Sequence, residues 1–74
     1  MPLQVTIYGK DTWHYTTNAR EDYARKGYKV DYYRVDRDPA KLEEMLTISD
    51  NRRSVPVIID AGKVTIGYGG SWGV

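Results

Sequence analysis

A chain of 74 residues with no cysteine and one histidine must hold together on packing alone. At this size about 60% of the unfolded surface is buried, and the usual supports, disulfides and common zinc sites, are excluded. Eleven basic against ten acidic residues, a net charge of +1, argue against a protein whose affinity comes from neutralising many phosphates, so no nucleic-acid partner is expected.

Residues 3–8, Leu-Gln-Val-Thr-Ile-Tyr, alternate and are rich in β-branched side chains, which predicts a strand ended by Gly9. Asp11 and Thr12 are suitable N-caps for a helix over about residues 14–26. Ala19 and Tyr23 fall on one face of that helix. Glu21–Arg25 and Asp22–Lys26 are acid-before-base pairs at i, i+4, and Gly27 is a natural C′ residue.

Residues 29–35 alternate again, with Val30 and Tyr32, and then Tyr33 and Val35, as candidates for burial. Asp38-Pro39 marks a second helix start, with Asp as N-cap and Pro at N1. Leu42, Met45, Leu46 and Ser49 follow at helical spacing, and a polar loop over residues 49–53 ends the helix. Residues 55–59, Val-Pro-Val-Ile-Ile, form an apolar strand suited to burial on both faces. Residues 60–63, Asp-Ala-Gly-Lys, make a hairpin turn into a last strand, Val64-Thr65-Ile66, after which the chain is glycine-rich.

The order is β-α-β-α-β-β in one domain over residues 1–74. Two strands joined by a crossover helix should be parallel, and the last two form an antiparallel hairpin. The longest apolar run, residues 55–59, is too short to span a membrane, so no membrane partner and a cytoplasmic location are expected.

The stretch 9–16, Gly-Lys-Asp-Thr-Trp-His-Tyr-Thr, carries most of the functional information. With Tyr8-x-Lys10, Asp38-Pro39-Ala40, the segment Arg52-Arg53-Ser54-Val55-Pro56 and Gly69-Gly70, it resembles the glutaredoxin family over nearly the whole chain. The resemblance implies a thioredoxin-like α/β fold: a four-stranded mixed sheet with helices on both faces, here lacking the usual C-terminal helix. In glutaredoxins the junction reads Tyr-x-Lys-x-x-Cys-Pro-Tyr-Cys. Tyr8, Lys10 and Tyr15 stand at matching places, but the cysteine positions hold Trp13 and Thr16.

What the resemblance implies about the site is specific. A cis bond before Pro56 would free the backbone of Val55 to pair with the cysteinyl unit of glutathione. Lys10 and Arg52 would lie near a glutathione carboxylate, although spacing alone favours two solvated surface charges and only the resemblance reverses that. Tyr15 would lie beside the bound peptide, and Gly69 and Gly70 would let a backbone approach closely. Ser71 follows where the family usually continues toward aspartates that hold the γ-glutamyl end. Glutathione is thus implied as co-substrate, with no metal, and glutathionylated proteins as partners.

Position 13 limits the chemistry. In the family its thiolate, stabilised at a helix N-terminus, attacks the mixed disulfide of glutathione with a protein. Indole has no route to that reaction, so the chain as written should be inactive. Either Trp13 is native and the protein is a non-catalytic glutathione- or peptide-binding module, or Trp13 stands for selenocysteine or cysteine. The tryptophan codon UGG differs by one base from UGA, and the stretch looks like the motif of short bacterial glutaredoxin-like selenoproteins. In that case Thr16 leaves a monothiol-type route and is placed to donate to an anion at 13. His14, in place of proline, is either a neighbouring imidazolium or an exposed residue without a role. A scaffold using the aromatic surface near residues 13–15 and 68–72 is a third possibility. The missing helix is expected to leave part of one sheet face bare, covered by Trp72 or driving self-association, hence a monomer or weak dimer.

Overall fold

The computed structural model describes residues 3–69. Its elements run β1 (Gln4–Gly9), α1 (His14–Arg25), β2 (Lys29–Arg34), α2 (Pro39–Ile48), β3 (Val57–Asp60) and β4 (Lys63–Ile66). The sheet order is β2-β1-β3-β4. β1 runs parallel to β2, as a strand–helix–strand crossover requires, and antiparallel to β3, which pairs antiparallel with β4. This is the four-stranded mixed sheet of a thioredoxin-like α/β fold, and no helix follows β4 among the described residues.

Register sorts the side chains into two cores. Val5, Ile7 and Ile58 point toward α1 and pack with Ala19, flanked by Val30, Tyr32, Tyr23, Tyr28 and Tyr68. Tyr8 and Val57, one residue out of phase, point to the other face and pack with Val35, Val55 and Met45 of α2, flanked by Tyr33, Leu42 and Leu46. Ile7 pairs with both Tyr32 and Ile58, so β1 is hydrogen-bonded along both edges and lies inside the sheet, while the two cores cover its faces.

Local signals account for most boundaries. α1 ends in a complete Schellman motif: Gly27 N–H donates to Ala24 O at 3.1 Å and Tyr28 N–H to Tyr23 O at 3.0 Å, with Gly27 at φ +88°. α2 begins as predicted, the Asp38 carboxylate accepting from the N–H groups of Ala40 (3.1 Å) and Lys41 (3.3 Å). β3 and β4 turn on only two residues, Ala61 and Gly62, both at positive φ, so Asp60 and Lys63 pair within the ladder.

Four expectations are corrected. β3 starts at Val57 rather than Val55, because Pro56 has no N–H to give to a ladder. The ion pair on α1 is Asp22–Arg25 at i, i+3, while Lys26 lies over the Tyr23 ring, 5.3 Å from its centroid. The N-cap of α1 is Trp13, not Asp11 or Thr12, and no side chain caps that terminus. The sheet face beside α1 is open along β4, where Lys63 and Thr65 are exposed, but the apolar patch expected there is not found among the described residues. Ile58 is 2% exposed, roofed by Tyr23, Tyr28 and Tyr68. The exposed large apolar residues, Leu3 and Val64, belong to opposite faces of the sheet by register, so they form no continuous patch. Trp72 lies outside the described residues. No described helix is long and apolar enough to cross a membrane.

Candidate functional site

The end of β1 delivers the chain to α1 through a single turn. Trp13 N–H donates to Lys10 O at 3.2 Å, and the Trp13 carbonyl then accepts from Thr16 N–H (3.0 Å) and Thr17 N–H (3.4 Å), starting the helix. Trp13 is therefore the N-cap residue, in extended conformation, with no side-chain cap and no acidic residue in the first turn. α2 has a carboxylate at the equivalent place. The N-terminus of α1 keeps its positive end open, directly behind position 13.

The Trp13 indole is half-buried and leans on the cluster of Tyr8, Val35, Met45, Val55 and Val57. Its ring lies 5.3 Å from that of Tyr15 and 5.6 Å from that of His14, and His14 and Tyr15 are themselves 4.1 Å apart. The His14 side chain is exposed. Trp13 Nε1 is buried with no acceptor, an unusual state for an indole N–H, which normally finds a partner when removed from water.

Thr16 is fully buried, and its hydroxyl has no partner. It lies over Gly9, where an added Cβ would fall 2.4 Å from Thr16 Cγ2 and 2.7 Å from Oγ1. The second motif position thus serves as a packing contact between β1 and α1, and it is closed to any substrate from solvent.

Beside Trp13 opens a groove of about 260 Å³ lined by Lys10, Val35, Asp36, Leu42, Met45, Arg53 and Val55. Val55 is 2% exposed, and the Val55–Pro56 bond is cis. Gly67 N–H donates to Pro56 O at 2.8 Å, which ties the end of β4 to this bend. The groove has an apolar floor and two cationic side chains, Lys10 and Arg53. Of the adjacent arginines it is Arg53 that lines it; Arg52 is exposed outside the lining, its carbonyl accepting from Ser49 Oγ at 2.8 Å. Asp36 adds one carboxylate, bonded to Arg34 at 3.1 Å, and that bond holds its pKa below the ordinary value.

Two further features were not legible as site residues. Asp11, placed in the turn before Trp13, accepts from Tyr32 Oη at 2.7 Å and pairs with Arg34 (3.3 Å) and Arg20 (3.8 Å). Tyr8 donates to Glu44 at 2.8 Å beside Tyr33, 5.6 Å away; burial first, then the Glu44 bond, raises its phenol pKa. Gly69 adopts φ +63° next to Tyr15, whose ring would lie 3.9 Å from a Cβ there. Gly70 and Ser71 lie outside the described residues. Among the described residues no three His, Cys, Asp or Glu side chains are grouped to hold a metal. A larger hollow, about 360 Å³, lies between α1 and β2 against Thr17, Arg20, Ala24 and Tyr32, but none of the predicted site residues lines it.

An extended N-cap residue at the head of α1, packed against the cluster that contains Val55, and the cis Val55–Pro56 bond beside the groove stand together at one end of a thioredoxin-like fold. The chain belongs to the glutaredoxin family, whose model, described as Glutaredoxin, matches residues 5–64. Among solved structures it is similar to the glutaredoxin grx-1 from Archaeoglobus fulgidus, with 25% identity and a TM-score of 0.76, covering 89% of this chain and 76% of that one. No match was found among curated proteins.

Proposed function

We propose that this is a glutathione-dependent thiol or selenol oxidoreductase whose nucleophile position is occupied by Trp13, so that the chain with tryptophan is inactive. The observation that carries the reading is the uncapped α1 terminus with position 13 as its N-cap residue. A selenolate or thiolate there would take the role that Asp38 takes on α2, accepting from first-turn N–H groups. It would attack the glutathione sulfur of a glutathione–protein disulfide and release the protein thiolate. A second glutathione thiolate would then displace the first as glutathione disulfide and regenerate the nucleophile. The buried, unpaired Trp13 Nε1 supports a site shaped for a smaller side chain.

Within this reading Val55 offers backbone groups to the cysteinyl unit, and Lys10 serves a glutathione carboxylate. Arg52 serves it too, with Arg53, which lines the groove, as a further cation, while Tyr15 and Gly69 flank the bound peptide. His14 would steady the anion from the solvent side. Thr16, being buried over Gly9, is restricted to a hydrogen bond toward position 13. Glutathione and glutathionylated proteins are the partners, in the cytoplasm, with the protein a monomer or weak dimer.

Trp13→Cys tests it. We expect a thiol pKa depressed from about 8.5 to below about 7.5, with turnover of a glutathionylated peptide. An ordinary thiol without turnover refutes the redox reading. The packing of Trp13 against the cluster that contains Val55 favours the second reading, a non-catalytic binding module. That reading expects glutathione binding by the tryptophan form, unchanged in Trp13→Cys, and UGG rather than UGA at codon 13.

A further inference from the structure

Asp11 is two residues from position 13, at the second place of the turn closed by Trp13 N–H and Lys10 O. A carboxylate in such a place ordinarily bonds the backbone N–H two residues on, or supplies negative charge to the helix that follows. Here the Trp13 N–H goes to Lys10 O instead, and the carboxylate turns to side chains. Its Oδ1 accepts from Tyr32 Oη at 2.7 Å and its Oδ2 faces Arg34 Nη1 at 3.3 Å. Arg20, reaching from α1, stands 3.8 Å from Oδ1 and stacks over the Tyr32 ring at 4.0 Å. Arg34 is itself held on its other side by Asp36 at 3.1 Å, and its Nε is buried without a partner, so this arginine is committed to β2.

We propose that Arg34 and Tyr32 are positioning residues that hold the Asp11 carboxylate against β2, and so keep it off the N-terminus of α1. The inference rests on the reading of position 13 as an anion site. A carboxylate released from β2 would compete for the same first-turn N–H groups. It would also place a like charge beside the anion, disfavouring its charged form. The network thus links the turn that carries position 13, through Arg34, to Asp36 in the groove.

Two measurements test this, the first on the chain with Trp13. Backbone amide exchange at residues 14 and 15 should slow roughly threefold in Arg34→Gln, as the freed carboxylate settles on the helix terminus. Adding Asp11→Asn should abolish that slowing. In Trp13→Cys, Arg34→Gln should lower the thiolate fraction at neutral pH roughly threefold, read from the rate of alkylation by iodoacetamide. Asp11→Asn should restore most of it. Tyr32→Phe, which removes a donor without removing charge, should shift both readouts in the same direction and covers the case in which Arg34→Gln does not fold. If Arg34→Gln acts equally with and without Asp11, it acts only through its own charge or through general loosening, and the proposal is overturned. If the Trp13→Cys thiol is ordinary, that failure belongs to the redox reading, and amide exchange still decides this one.

Discussion

Thr16 and Gly9 are locked together across the β1–α1 junction, with the threonine side chain occupying the space where any Cβ at position 9 would lie. The contact fixes how far α1 stands from the end of β1, and with it the height of position 13 above the groove. Gly9→Ala should therefore cost roughly 1–3 kcal/mol, read as a lower urea midpoint. Thr16→Ala should be mild, since its hydroxyl has no partner to lose. In the Thr16→Ala background Gly9→Ala should cost less than half as much. Additive effects of the two substitutions would show that the close approach does not govern stability.

The two helix starts differ by design of sequence. α2 begins with Asp38 capping two N–H groups and Pro39 at N1. Asp38→Ala should lower stability by about 1 kcal/mol, a fall in Tm of roughly 4–8 °C for a domain of this size. Asp38→Asn or Asp38→Ser should recover most of it, because those side chains also accept from the first turn. A Tm unmoved by Asp38→Ala would mean that the packing of Met45 and Leu42, rather than the cap, sets the stability of α2.

Order and type of every element were legible because local chemistry states them. The Asp38-Pro39 start, the Gly27 stop and the alternation around Ile7 each depend on residues within a few positions. The site was less legible where its partners come from distant sequence. Asp11 satisfied the local rule for a helix cap, yet Tyr32 and Arg34 from β2 offer it a phenol and a guanidinium, and these outweigh two backbone N–H groups. Arg52 and Arg53 are neighbours in a loop without periodicity, so nothing local tells which one faces the groove. The bare sheet face was expected from an absent helix. Among the described residues it is bare only along β4 and carries no apolar patch, because Tyr28 and Tyr68, far apart in sequence, close over Ile58, and because β4 places Lys63 and Thr65 on that side by register.

That tyrosine roof makes the fold sensitive to alkali. Tyr68 Oη donates to Asp22 at 2.7 Å and Tyr28 Oη to Asp60 at 3.1 Å. The Asp22 bond, followed by burial, pushes the Tyr68 phenol up to about 12; the Asp60 bond likewise raises Tyr28. A phenol whose pKa is raised by folding contributes stability that is complete below its unfolded value, about 10. That contribution is lost progressively as pH climbs toward the folded value. The urea midpoint should therefore hold steady from pH 7 to 9 and fall between about pH 10 and 12. Tyr68→Phe keeps the ring over Ile58 but loses the bond to Asp22. It should start from a lower midpoint at neutral pH and fall less steeply in alkali, the remaining slope coming from Tyr8, Tyr28 and Tyr32. Tyr68→Ala should instead uncover Ile58 and increase binding of a hydrophobic dye at any pH. An alkaline limb equally steep in Tyr68→Phe and the parent would mean that the Tyr68–Asp22 bond does not contribute to it.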